Sequence, residues 1–268
     1  NTLYTAVKST SSDNLKDFGY KTSDIGISFG TSFEQYENLY FSPTIDTAYE
    51  KLETTGTATA NLKKQEGNYF DTYFNYSLAY DLRNRNYRPD EGFKNTFYQE
   101  IPLVSDNYEI INSFESSRYQ KISSMVTKIS FFGKTVSTLN NEDVRISKRL
   151  FMPSNKLRGF EAGKIGPFDN GDYVGGNYIS SVNFNATLPK LLPDFQNTDF
   201  SFFVDAANAW GVDYDSEIND SNKIRSSTGV AIDILTPIGP LNFSLSQPIT
   251  KKSTDETETF RFNLGTTF

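Results

Sequence analysis

The sequence predicts an all-β chain, an antiparallel transmembrane β-barrel, on three observations. Aromatic residues make up 15% of the chain, with 23 Phe and 16 Tyr, yet mean hydropathy is only -0.51. Large apolar rings are therefore spread singly through polar sequence, as alternation on a membrane strand requires. Second, period-two runs recur along the chain. They are longer than the ~5–6 residues usual in globular sheets and suit the ~9–11 residues of a tilted membrane strand. Third, connectors counted back from the C-terminus mostly alternate long and short, the pattern of barrels with long loops on one side only. No apolar run approaches the ~20 residues of a spanning helix.

Twelve strands are expected, in order. The first covers roughly Thr2–Ser9. The second, Lys21–Phe33, sets Ile25, Ile27, Phe29 and Phe33 on one face and Asp24, Ser28 and Ser32 on the other. The third, Leu39–Lys51, alternates Phe41, Ile45 and Tyr49 against Ser42, Asp46 and Glu50. The fourth, Tyr69–Leu82, alternates most cleanly, with Phe70, Phe74, Tyr76, Leu78 and Tyr80 opposite Asp71, Asn75 and Ser77. Phe93–Val104, Tyr108–Ile122 and Ser124–Val136 follow with weaker alternation. After a glycine-rich stretch come Asn177–Leu188, Thr198–Trp210, Ile224–Leu235, Leu241–Gln247 and Phe260–Phe268. In Thr198–Trp210, Phe202 and Val204 share a face, and Phe203 and Asp205 the other.

The long connectors are Thr10–Tyr20, Leu52–Asn68, Ser137–Gly176, Gly211–Lys223 and Ile249–Thr259. Glu34–Asn38, Lys121–Ser124 and Leu235–Gly239 are tight turns, Pro189–Asn197 is intermediate, and the short Ser105–Asn107 breaks the rule. This parity puts the long loops outside and Phe268 on the periplasmic side. The acidic run Asp213–Asp220 lacks the glycine and ligand spacing of an EF-hand and reads as a solvated outer loop. Lys63, Lys64, Lys251 and Lys252 read as solvated charges or charges facing lipopolysaccharide. The chain opens at Asn1 directly into a strand, and the expectation is a fragment of a longer protein.

Composition removes several function classes. There is no Cys and no His, so disulfides, thiolate metal sites and a Ser-His-Asp triad are excluded. An outer-membrane phospholipase is disfavoured for the same reason, since its nucleophile needs a histidine. A net charge of -7 argues against a nucleic-acid groove. No cofactor and no catalytic residue are expected.

The longest connector carries Leu157-Arg158-Gly159-Phe160, then Ile165-Gly166-Pro167 and Gly175-Gly176-Asn177. Further on come Phe203-Val-Asp205-Ala-Ala-Asn-Ala-Trp210, Arg225-Ser-Ser-Thr-Gly229, Thr236-Pro-Ile-Gly-Pro240 and Gln247-Pro-Ile. The chain closes on Phe260-Arg-Phe262-Asn-Leu264-Gly265-Thr-Thr-Phe268. Together these motifs resemble the BamA family, the outer-membrane barrel assembly factors, closely over about 145–268 and more loosely before. The resemblance implies a barrel of sixteen strands behind periplasmic POTRA domains. This chain would then hold the C-terminal portion, lacking the first strands and the POTRA domains.

The resemblance also implies roles. The loop folds into the lumen, and its Arg158 meets Asp205 on the inner wall, within an F-x-D motif that begins at Phe203. Alternation independently turns Asp205 away from Phe202 and Val204. The motif's glycine is Ala207 here, and the family's second acidic partner aligns with Asn185, so weaker anchoring is expected. The last strand (Phe260, Phe262, Leu264, Gly265 and Phe268) is expected to be both assembly signal and one edge of a lateral seam. The implied function is folding and insertion of client barrels through that seam, without enzymatic chemistry, in the outer membrane of a Gram-negative bacterium. Implied partners are nascent outer-membrane proteins, outer-membrane lipids and lipopolysaccharide, and assembly lipoproteins reached through the periplasmic domains. The rival readings are a TamA-like barrel or two-partner secretion transporter and, behind these, a twelve-stranded pore.

Overall fold

The computed structural model describes residues 2–189, 197–214, 218, 223–237 and 239–264. Twelve long strands form one antiparallel sheet: β1 (Thr2–Asn14), β2 (Tyr20–Tyr36), β3 (Leu39–Thr54), β4 (Gly67–Asp81), β5 (Gly92–Ser105), β6 (Glu109–Ile122), β7 (Met125–Thr138), β10 (Tyr178–Thr187), β11 (Thr198–Trp210), β12 (Arg225–Thr236), β13 (Gly239–Thr250) and β14 (Phe260–Leu264). Two short strands, β8 (Phe168–Asp169) and β9 (Asp172–Tyr173), make a hairpin inside the longest connector. Every long strand pairs with its neighbour in sequence, and β7 pairs directly with β10. Among the described residues β1 and β14 are the two edges of the sheet.

Alternation dictates which face is which. On β11, Phe202 is 55% exposed and Val204 47%, while Phe203 is 1% and Asp205 0% exposed. The same division separates Ile25, Ile27 and Phe29 on the outside of β2 from the buried Ser28. Rings and branched side chains thus line the outer wall, where lipid removes them from water, and small polar residues line the inner wall. No described helix is long and apolar enough to cross a membrane. Crossing falls to the strands, whose backbone groups are satisfied by the ladder.

Several strands outrun their expected ends. β1 continues to Asn14 and β2 starts at Tyr20, so the connector expected to be long is one helical turn, α1 (Leu15–Phe18), closed by Gly19 at φ 74. Polar alternation continues through these ends, and the pattern alone gives no stop signal there. On the side of the tight turns, residues 82–91 form a long connector. It is pinned by Arg83 on Asp81 and by Arg88 on Asp199, each at 2.7 Å. The connector 55–66 holds a second single turn, α2 (Ala60–Lys63), capped by the Thr59 hydroxyl.

The apolar core lies in the lumen. Residues 139–177, joining β7 to β10, fold inward. Val144, Leu150, Met152, Leu157, Phe160 and Ile165 pack on Ile111, Phe132, Ile179 and Ala209 of the wall. A second cluster joins Leu52 and Tyr20 to Leu62 of α2 and to Ile146 and Val174 of the loop.

Candidate functional site: the inward loop and the last strand

Loop 139–177 is long enough to cross the lumen, and its sequence supplies what a buried segment needs. Leu157 and Phe160 are each 1% exposed and anchor it apolarly. Its ends are drawn together by a bridge in which Leu150 and Gly176 exchange two backbone hydrogen bonds, at 2.8 and 2.9 Å. The Asn170-Gly171 pair turns β8 into β9 with both residues at positive φ, 47° and 107°. That is the backbone an Asn-Gly turn favours.

Arg158 lies between these apolar anchors and meets β11. Its Nε donates to Asp205 Oδ2 and its Nη2 to Oδ1, each at 2.7 Å, and its backbone N–H donates to Oδ2 at 3.1 Å. A fork on both carboxylate oxygens is the strong, directional form of this pair. The guanidinium also lies over the Phe203 ring, with Cζ 3.5 Å from the ring centre. Phe203 lies over Gly229, its cross-strand partner on β12. A Cβ at Gly229 would come within 2.6 Å of the ring. Loop arginine, wall aromatic and wall glycine thus form one stack.

The neighbour of Asp205 on the preceding strand is Asn183, not Asn185. Register pairs Asn183 with Asp205 and Asn185 with Phe203. Asn183 Nδ2 donates to Asp205 Oδ1 and to the Lys156 carbonyl, both at 2.9 Å. The expected second partner, Asn185, does not reach Asp205; an amide that donates twice, Asn183, meets it instead. On the other flank, the Ser227 hydroxyl donates to the Arg158 carbonyl, just beside the register shift at Ser226/Ser227 between β12 and β13. Gly159 takes φ 87, and a Cβ there would sit 3.1 Å from Ser246 Cβ and 3.3 Å from Ser227 Cβ. Glycine at this position lets the loop lie against the wall.

Three further arginines, Arg145, Arg149 and Arg225, fix the connectors; only Arg225 falls within a motif noted in the sequence, and the sequence named no partner for any of them. Arg145, 1% exposed, reaches Asp71 of β4 at 2.5 Å, Glu109 of β6 at 3.6 Å and Glu50 of β3 at 3.9 Å. Burial opposes its charge, but Glu109, Glu50 and Asp71 outweigh burial and hold the guanidinium more firmly protonated than usual. Arg149 pairs with Asp213 and donates to Asn177 Oδ1 at 2.8 Å. Arg225 of β12 and Asp255 of the last connector form a pair with both side chains 0% exposed, Nη2 to Oδ1 at 2.9 Å. The signal available in the sequence was acidic: Glu50 and Asp71 fall at inward strand positions, where each needs a cation.

Asp213, the first residue of the acidic run 213–220, is not the free solvated charge expected. It accepts from the Val144 N–H at 3.0 Å and from Asn177 Nδ2 at 3.0 Å, besides Arg149. Burial alone would raise its carboxyl, but the Arg149 charge and these hydrogen bonds hold it below the usual range. Residues 215–217, 219 and 220 lie outside the described residues. Lys63 Nζ donates to the Gly56 carbonyl at 2.6 Å. Lys251 and Lys252 line a hollow beside Phe168 and Lys223.

The last strand turns Phe260, Phe262 and Leu264 outward, and it pairs with β13 from Leu245↔Phe260 to Leu241↔Leu264. Gly265 and Phe268 lie outside the described residues. Arg261, between the outward rings, points into the lumen and reaches the loop. Its Nη2 donates to the Phe160 carbonyl at 2.6 Å and its Nη1 to the Ser154 carbonyl.

Comparison with known proteins places this geometry. The model for the Omp85 superfamily domain matches residues 2–268. The outer membrane protein assembly factor BamA of Neorickettsia risticii (strain Illinois) is 23% identical over 256 residues, which cover 93% of this chain and 34% of that protein. BamA of Neisseria meningitidis serogroup B is 32% identical over 139 residues, 42% of this chain and 17% of that one. The crystal structure of BamA from Haemophilus ducreyi lacking POTRA domains 1-3 superposes with a TM-score of 0.81 at 23% identity, covering 97% of this chain and 57% of that one. CdiB from Acinetobacter baumannii gives a TM-score of 0.59 at 10% identity, over 91% of this chain and 42% of that one. The chain spans 34% of the length of the first of these relatives. The family match takes in wall, loop and last strand alike, and the chain belongs to the Omp85 superfamily as part of a BamA-family barrel of the outer membrane.

Proposed function

We propose that the protein carrying this chain assembles other outer-membrane β-barrels, folding and inserting them beside its last strand. The observation that carries the reading is the loop arginine Arg158 held in a fork by Asp205 at 2.7 Å, inside a barrel with BamA relatives along 93% of the chain. A loop fixed across the lumen obstructs free diffusion and favours a scaffold over an open pore. Strand pairing and burial of apolar side chains in lipid supply the driving force, and no catalytic group is needed. Clients are nascent outer-membrane proteins, and the outward rings of β14 meet outer-membrane lipid. Lipopolysaccharide borders the outer loops, and accessory lipoproteins act through periplasmic domains.

The test is depletion of the whole protein from its host, followed by measurement of folded outer-membrane barrels as a class. The proposal expects all major barrels to fall together. Loss of a single secreted protein with normal barrel levels would overturn it in favour of a two-partner secretion transporter.

A further inference from the structure

The last strand is held on its lumen side by the loop. Loop and lead-in strand run antiparallel, with a bridge at Phe160↔Thr257. The Glu161 N–H donates to the Glu256 carbonyl at 3.1 Å, the Glu256 N–H to the Lys164 carbonyl at 3.1 Å, and the Glu258 N–H to the Gly159 carbonyl at 3.2 Å. Arg261 then adds its two bonds to the Phe160 and Ser154 carbonyls from within β14 itself, with its side chain 10% exposed. The loop residues so engaged flank Arg158, whose carboxylate partner belongs to β11. Two arginines thus fix the segment 154–161, one from within it and one from outside it. Arg158 ties it to the wall, and Arg261 ties it to the last strand.

We propose that Arg261 is a positioning residue that latches β14 to the inward loop, so that β14 leaves its place only when segment 154–161 also lets go. The geometry suits arginine: a planar fork spans two carbonyls that a lysine ammonium, a single point donor, does not bridge in the same way. The lumen-side contacts add to the ladder with β13 in fixing the strand. If the latch couples two sites, the coupling is reciprocal: weakening either anchor loosens the other. The inference rests on the seam reading above for its biological use, but not for its test.

The experiment is amide hydrogen exchange on the full-length protein in lipid nanodiscs, reading 154–161 and 256–264 in Arg261→Gln and in Arg158→Ala. The latch predicts that Arg261→Gln speeds exchange of the Glu161 amide region, and that Arg158→Ala speeds exchange at Glu256 and Glu258. Each effect is expected at about 5–150-fold, the usual range of site coupling, with β2 and β3 unchanged. Arg261→Lys, which keeps the charge and loses the fork, is expected between parent and Arg261→Gln. Variants that loosen only their own segment overturn the latch, as does an Arg261→Lys indistinguishable from the parent. Client assembly measured on the same variants separates the two readings. Coupled exchange with normal client levels keeps the latch and overturns the seam function.

Discussion

Asp205 accepts four hydrogen bonds, three from Arg158 and one from Asn183, while being fully buried. A buried carboxylate with that set of donors is a register device: it stabilises one loop position and penalises others. Asn183 contributes through both of its amide hydrogens, and it is therefore not a weakened acid. Asn183→Asp would remove two donors and set a second negative charge against Asp205. The expected outcome is a loss of about 1–3 kcal/mol in loop anchoring, seen as faster protease cleavage within 139–177. A variant that protects the loop better than the parent would show that the site wants two acids. Strand alternation made the inward face of Asp205 legible in the sequence. It did not make Asn183 legible, because period two fixes the face but not the register, and Asn183 and Asn185 share a face.

At the scale of elements, the loop depends on backbone that only certain residues adopt. Gly159 combines φ 87 with the wall at 3.1 Å. Gly159→Ala is expected to cost on the order of 1–3 kcal/mol from strain and to displace Arg158 from its fork, which exchange or protease mapping of 154–161 would report. Asp213 joins two connectors through Arg149, Val144 and Asn177. Its carboxyl titrates lower in the folded chain than when unfolded. Its stabilising effect is therefore complete above the unfolded value of roughly 3.9 and is lost as pH falls through the lower folded value. Cleavage within 139–177 should rise across that acidic window. In Asp213→Asn the anchor should already be weak at neutral pH, with the acidic step reduced. The twelve long strands were legible because aromatic alternation is strong. The connectors were less so: Gly19 marks the turn before β2, but polar alternation does not show how far β1 runs, and the inward fold depends on carboxylates far off in sequence, Asp71 on β4 for Arg145 and Asp213 of another connector for Arg149.

Across the whole molecule, the lipid-facing wall is apolar, the inner wall mixes polar residues with an apolar patch, and the core sits in the lumen, where the loop's apolar residues pack on that patch. The protein solves two problems with one loop. It fills a lumen that would otherwise leave Glu50, Asp71, Glu109 and Asp205 without cations, and it touches both the wall and the last strand. Any assembly function carried by the last strand is thereby tied to the state of the loop. The most direct measurement is the level of folded outer-membrane barrels in cells whose only copy of the full-length protein carries Arg158→Ala. Removing one member of a buried, forked pair is expected to cost about 3–5 kcal/mol, so the loop should become protease-sensitive and folded client barrels should fall several-fold. Normal client levels, with the variant present in the membrane at parental abundance and its loop demonstrably released, would contradict the account.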